Sequence, residues 1–423
     1  MTTQHVIIIG AGYAGLLCAI RLAGKTHHDQ TRITLVNAGD HFIERIRLHQ
    51  WLTGKPLPAH PIPRLLCGTG VEFVNGRVTR LDAAHQQITV ATDAHEQHLS
   101  YDRLVYALGS QTDRWSVPGV SDHAQVLDGD SGQAFRAALP ALAENNGRLL
   151  VVGGGLTAIE TITELAETFP ALRLTLLTNG TFGSELSPAG QAHLRTVFAR
   201  KSIALIEGAR VTAVEAGRAL TADGQAIPFE ACLWTVGFVA PPLAREAGLP
   251  VNERGQIKVD DCLRVPDHNS ISVVGDSAAV DLPWGALRMG CVSAMPMGAY
   301  VADRLTNEFH RKDKNGHSGS PLPGVFADGR GAGGEGNTTQ PFRFGFLLRC
   351  ISLGRREGLV QMVGANDTPQ PRIYTGWQAV LMKEIICRFT AGSMPLERRF
   401  PGFYRWPQPK VGVAAADHPA YAR

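Results

Sequence analysis

With 423 residues the chain has room for roughly three domains of about 150 residues and for more than one buried core, so its stability does not require disulfides. A formal charge of +3 gives no warrant for a nucleic-acid partner, and seven scattered cysteines without a C-x-x-C pair or metal-like spacing point to a reducing compartment and no metal site. No stretch reaches about 18 uninterrupted apolar residues, the length needed to span a bilayer.

The N-terminus enters an apolar strand at once, so no signal peptide is expected and a cytoplasmic location is the natural reading. Val6-Ile7-Ile8-Ile9 has the continuous β-branched character of a parallel strand buried on both faces. It runs into Gly10-Ala11-Gly12-Tyr13-Ala14-Gly15 and then into the helix-forming run Leu16-Leu17-Cys18-Ala19-Ile20. Gly10 permits the tight turn, Gly12 lets backbone approach a pyrophosphate, and Gly15 lets the helix lie against the strand. The helix N-terminus then offers free N–H groups and a partial positive charge to phosphates. A lone G-x-G-x-x-G is weak evidence, but strand, turn and helix in this order make it a dinucleotide fingerprint.

The next strand, Ile33-Thr34-Leu35-Val36, is expected to end on an acid that accepts from the ribose hydroxyls, and it ends on Asn37. An amide oxygen can still accept one such bond, at about 0.5–1.5 kcal/mol instead of about 1.5–3 for a charged acceptor. The following segment, residues 40–50, contains no cysteine; its His49 is a candidate proton carrier at neutral pH.

A second fingerprint begins at Leu149-Leu150-Val151-Val152, turns at Gly153-Gly154-Gly155-Leu156-Thr157-Ala158 and continues into a helix carrying Glu160. The strand after it, Leu172 to Leu177, ends in Thr178-Asn179-Gly180, with neither an acid for a 2′-hydroxyl nor an immediate arginine for a 2′-phosphate. On either side lie Tyr106-Ala107-Leu108-Gly109-Ser110, leading to Val117-Pro118-Gly119-Val120, and Trp234-Thr235-Val236-Gly237. A further strand, Ile271-Ser272-Val273-Val274, ends in Gly275-Asp276.

Together these segments resemble the two-dinucleotide flavoprotein reductases, the pyridine nucleotide-disulfide reductase-like proteins, and most of all the type II NADH:quinone oxidoreductase-like branch. The resemblance implies an α/β fold of two Rossmann-like dinucleotide-binding domains, the NAD domain inserted in the FAD domain, followed by a C-terminal α+β region. The expected boundaries are 1–115 and 241–310 for the two parts of the FAD domain, 116–240 for the NAD(P)H domain, 311–340 for a glycine-rich flexible insertion and 341–423 for the C-terminal domain. FAD is then expected at Gly10, Gly12, Gly15, Asn37, Ala107, Gly109, Gly275 and Asp276, although Leu108 stands where the family has Thr. NADH or NADPH is expected at Gly153, Gly155, Ala158, Glu160, Thr178 and Gly237.

Glu160 is also implied as a catalytic carboxylate beside the nicotinamide and flavin rings, with an ordinary first-turn helix acid as its other reading. The redox cysteines of the disulfide reductases are missing, and Cys291 and Cys350 read as buried and inert, so electrons are expected to pass directly to a diffusible acceptor. The segment 288–302 resembles the flavin-facing helix of quinone-reducing members but lacks their glutamine motif; Met295 and Met297 are the expected acceptor contacts.

Near the C-terminus a helix starts around Thr375, with Trp377, Leu381, Ile385 and Phe389 recurring every fourth residue beside the basic Lys383 and Arg388. In the resembled family this end docks on a membrane surface, so residues 375–406 are a candidate for peripheral contact at the inner face, the alternative being packing on the body or on a second subunit of a homodimer. The expected activity is hydride transfer from NAD(P)H to FAD and then two-electron reduction of a quinone-like or aromatic small molecule. Two alternatives stay open: a pathway-specific flavoenzyme acting on an aromatic or polycyclic metabolite, and a redox sensor binding FAD and NADH with little turnover.

Overall fold

The computed structural model describes residues 3–314 and 340–409. Its first layer is a six-stranded sheet in the order Arg264–Val265, His268–Val273, Arg103–Tyr106, Gln4–Ile9, Thr31–Asn37, Glu72–Asn75, parallel except at the first pair. Val6 to Ile9 are shut off from solvent on both faces, which is why this strand is continuously apolar. The helix Tyr13–Lys25 covers one face and packs on the helix Cys291–Lys314. The approach is close enough that a Cβ on Gly298 would lie 2.2 Å from the Ala14 carbonyl oxygen, so only glycine fits there.

The second layer is a four-stranded parallel sheet, ordered Ala204–Ile206, Arg173–Leu177, Arg148–Val152, Ala231–Trp234. The two chain crossings between the sheets pair with each other: Gln111–Thr112 runs antiparallel to Phe238–Val239, and Asp113 N–H donates to the Gly237 carbonyl at 2.9 Å.

The C-terminal part is an antiparallel sheet of Leu348–Ser352, Gly358–Val363 and Pro369–Thr375, followed by the helix Gly376–Arg399. The sheet is fastened to the second fingerprint helix, Leu156–Thr168, through Thr163 and Arg355, which bond Ser352 and Glu164 at 3.4 and 3.0 Å. The buried Gln361 accepts from Ser187 N–H at 3.0 Å and fixes the next loop of the same domain. On the C-terminal helix Ala379, Cys387, Thr390 and Met394 face inward, while Trp377 (70% exposed), Leu381, Ile385 and Phe389 face out. Of the apolar row anticipated from the sequence, Trp377, Leu381 and Ile385 are thus exposed, while Phe389 also packs on Phe403 and Tyr404. Among the described residues no helix is long and apolar enough to cross a membrane. The glycine-rich insertion, apart from its two ends, lies outside the described residues.

Candidate functional site

At the first fingerprint Gly10 has φ +98°, and a Cβ there would meet the Ala107 carbonyl oxygen at 2.4 Å. Gly15 is equally restricted, its Cβ position lying 2.0 Å from the Gly10 oxygen. Gly12 differs: nothing lies within 4 Å of where its Cβ would be, and it starts a helix that no side chain caps. Open space over backbone N–H groups at a helix start is the cradle a pyrophosphate requires, and these residues fit FAD.

Asn37 lies at the end of its strand as expected, with both ends of its amide engaged. Oδ1 accepts from Ala11 N–H at 2.9 Å and Nδ2 donates to the Gly39 carbonyl at 2.8 Å, so the side chain braces the fingerprint turn. Asp276 accepts from Ser110 Oγ and from Gly290 N–H, each at 2.7 Å. It thereby ties the loop after Ala107 and Gly109 to the start of the Cys291–Lys314 helix, and Ser277 Oγ adds a bond of 3.0 Å to the Gly109 carbonyl.

The second fingerprint repeats the geometry. Gly153 has φ +134° and would clash with Thr235 Oγ1 at 2.3 Å if it carried a Cβ, whereas Gly155 opens onto free space at an uncapped helix start. Ala158 is fully buried where the helix meets its sheet. These residues fit a second dinucleotide.

Around Glu160, on the second fingerprint helix, the fold assembles a charged cluster. Glu160 Oε1 accepts from Ser352 N–H at 3.0 Å and from Lys383 Nζ, which descends from the C-terminal helix, while His49 Nδ1 stands 3.7 Å from Oε2. The Glu160 and Lys383 side chains are each 13% exposed. Burial pushes the Glu160 carboxyl upward, but the Lys383 charge, followed by His49 and the Ser352 N–H, outweighs it and holds the group below its ordinary value. His49 is 4% exposed, and burial lowers its pKa from 6.5 to about 4 against the opposing pull of Glu160. The imidazole is therefore neutral at pH 7, and its buried Nε2 has no partner among the described residues. A neighbouring clamp holds the segment in place: Arg47 bonds both Glu384 carboxylate oxygens at 3.0 and 3.2 Å and Glu44 at 2.9 Å.

The structure thus brings the sequence candidates Glu160 and His49 together. It adds Lys383, which sequence reasoning took as decoration of the apolar row. The available signal was that Ala379, Lys383 and Cys387 share the inward row of the helix at fourfold spacing. Met295 and Met297, expected at the acceptor, are core residues at 2% and 3% exposure, because residues 293–299 are buried all round between neighbouring elements. Ahead of this buried stretch, Cys291 is half-buried and Val292 exposed in the first turn, and the helix surfaces again at Asn307, His310 and Arg311. Burial raises the thiols of Cys291 and Cys350 to about 11 and about 12, so both are protonated at neutral pH, as an inert role requires.

The pyridine nucleotide-disulphide oxidoreductase family matches residues 4–303. The chain is 28% identical over 291 residues to the demethylphylloquinone reductase of a Synechocystis strain, covering 65% of this chain and 72% of that one. It is 24% identical over 416 residues to a type II NADH:quinone oxidoreductase of Staphylococcus epidermidis, covering 90% and 94%. Its fold is similar to the crystal structure of the sulfide:quinone oxidoreductase of Aquifex aeolicus, with TM-score 0.75, 17% identity and coverage of 98% and 99% of the two chains. Two fingerprints in two parallel sheets, joined by paired crossovers and matched by the family over both, lead to one conclusion: the chain belongs to the pyridine nucleotide-disulphide oxidoreductase family, as an FAD-dependent NAD(P)H oxidoreductase.

Proposed function

We propose that the chain oxidises NAD(P)H and reduces a small quinone-class acceptor. The observation that carries this reading is the Glu160–Lys383 pair with His49 beside it. FAD, held at Gly10, Gly12 and Gly15, would supply the redox chemistry that links hydride donation by NAD(P)H to two-electron reduction of the acceptor. The protein's own part is placement and proton supply. Gly12 and Gly155 leave room for backbone contact with the two pyrophosphates, and Asp276 fixes the loops around the first site. A quinone takes up two protons with its two electrons, and Lys383 Nζ holds a proton against Glu160 Oε1 in a site from which water is largely excluded. The relatives named above as quinone reductases support the choice of acceptor.

The second part of the reading concerns place. The row Trp377, Leu381, Ile385 and Phe389, flanked by the exposed Arg388, Arg399 and Arg405, suits the surface of an anionic bilayer, where an apolar acceptor is concentrated. The test is oxidation of NADH and NADPH by the FAD-loaded protein with a water-soluble short-chain quinone, against oxygen alone. Quinone-dependent turnover well above the oxygen rate is expected. Turnover indifferent to the quinone would overturn the acceptor assignment.

A further inference from the structure

In a dinucleotide fold the residue about twenty positions beyond the fingerprint faces the adenosine ribose, and its charge selects the nucleotide. A carboxylate there binds the 2′-hydroxyl of NADH and repels the 2′-phosphate of NADPH. Counted from Ala158, that position is Thr178, the first residue after the strand Arg173–Leu177. Its hydroxyl lies over the fingerprint turn, since a Cβ on Gly154 would come within 2.4 Å of Thr178 Oγ1. Thr178 also accepts from Gly180 N–H at 3.4 Å, so a neutral side chain stands where the selecting acid belongs.

The loop that pairs with Thr178 carries one acid, and it is already neutralised. Thr178 N–H donates to the Ile206 carbonyl at 2.9 Å, and Ala209 N–H donates to the Thr178 carbonyl at 3.1 Å. Between them Glu207 accepts from Phe182 N–H at 2.6 Å and from both terminal nitrogens of Arg195 at 2.7 Å. Those bonds, the Arg195 guanidinium first, hold its carboxyl at about 2. The residue after Ala209 is Arg210, exposed and without a carboxylate partner among the described residues.

We infer that the second nucleotide site admits a 2′-phosphate, with Arg210 as its cation, and that NADPH serves at least as well as NADH. The inference rests on the reading of this fingerprint as the nicotinamide nucleotide site. Its test pairs kinetics with binding on the FAD-loaded full chain. Rates of flavin bleaching by NADPH and NADH are compared, and the affinities of adenosine 2′,5′-bisphosphate and 5′-AMP are measured by calorimetry.

The bisphosphate is expected to bind about tenfold or more tightly than AMP, the size of one charge-assisted phosphate contact, and NADPH to match or exceed NADH in kcat/KM. Arg210→Ala should lower the bisphosphate-to-AMP ratio by about tenfold. Thr178→Glu should move the preference to NADH by a similar factor. Because Thr178 is buried, the exposed Arg210 variant keeps the test open if Thr178→Glu fails to fold. AMP binding as tightly as the bisphosphate, or a kcat/KM for NADPH clearly below that for NADH, overturns the inference, and an unchanged ratio in Arg210→Ala removes Arg210 from it. Bleaching by neither nucleotide would defeat the reductase reading instead, while the binding comparison still decides the 2′-phosphate question.

Discussion

Replacing Lys383 by methionine removes the cation from the Glu160 pair while keeping most of the side chain's bulk. Breaking a buried pair by deleting one partner costs about 3–5 kcal/mol. The 13% exposure of both side chains and the surviving bond from Ser352 N–H place this case near the low end, at about 3 kcal/mol. In the intact protein the Glu160 pKa is lowered, so its contribution is present above the ordinary carboxylate pKa and is lost as pH falls through the folded value. Without Lys383 burial dominates and the pKa rises above ordinary; the folded carboxyl then holds its proton more tightly than the unfolded one, and stability is lost as pH rises. The deficit of Lys383→Met is therefore larger at pH 8 than at pH 5. Near-UV circular dichroism melts of the FAD-loaded protein should show a fall of roughly 3–4 °C at pH 8 and clearly less at pH 5. Lys383→Met combined with Glu160→Gln, which leaves no charge to strand, should recover most of it. A single variant that melts like the parent at pH 8, or a double variant no better than the single, would refute the ion pair as a buried, coupled element.

Further outcomes follow from the same geometry. Gly12→Val has room for its side chain and should fold but lose the yellow cofactor, whereas Gly15→Val collides with backbone and should not yield folded protein; a yellow Gly12→Val would contradict the first site. His49, held from 6.5 down to about 4, contributes stability that is complete above its ordinary pKa and is lost as pH falls toward the folded value. His49→Gln should accordingly flatten the acid decline of the melting temperature, by the equivalent of roughly 3 kcal/mol, and an unaltered decline would refute this. Leu381→Glu with Ile385→Glu should abolish sedimentation with phosphatidylglycerol vesicles and leave the fold intact, since both side chains are exposed; undiminished sedimentation would remove this row from membrane contact.

The parts legible in the sequence are those encoded over a short span. Each fingerprint is a contiguous strand, turn and helix, and each restrictive glycine is explained by backbone a few residues away or by a residue just past the end of the adjoining strand. Asn37 was legible as a departure from an acid, but not that its amide would brace Ala11 and Gly39. Lys383 was hidden because its partner is 223 residues distant, and no local pattern announces a contact made only when the C-terminal sheet docks on the second fingerprint helix. The helix carrying Met295 and Met297 was legible, but which of its residues reach the surface depends on neighbours that bury 293–299 on all sides and leave the first turn and the C-terminal turns open.

Anaerobic stopped-flow mixing of the FAD-loaded protein with excess nucleotide, followed by a second mix with a soluble quinone, addresses the proposed reaction most directly. NADH or NADPH should bleach the flavin within the turnover time, and the quinone should restore its colour far faster than oxygen does. A flavin that stays oxidised at saturating nucleotide, or a reduced flavin to which the quinone is inert, would contradict electron transfer from NAD(P)H to a quinone.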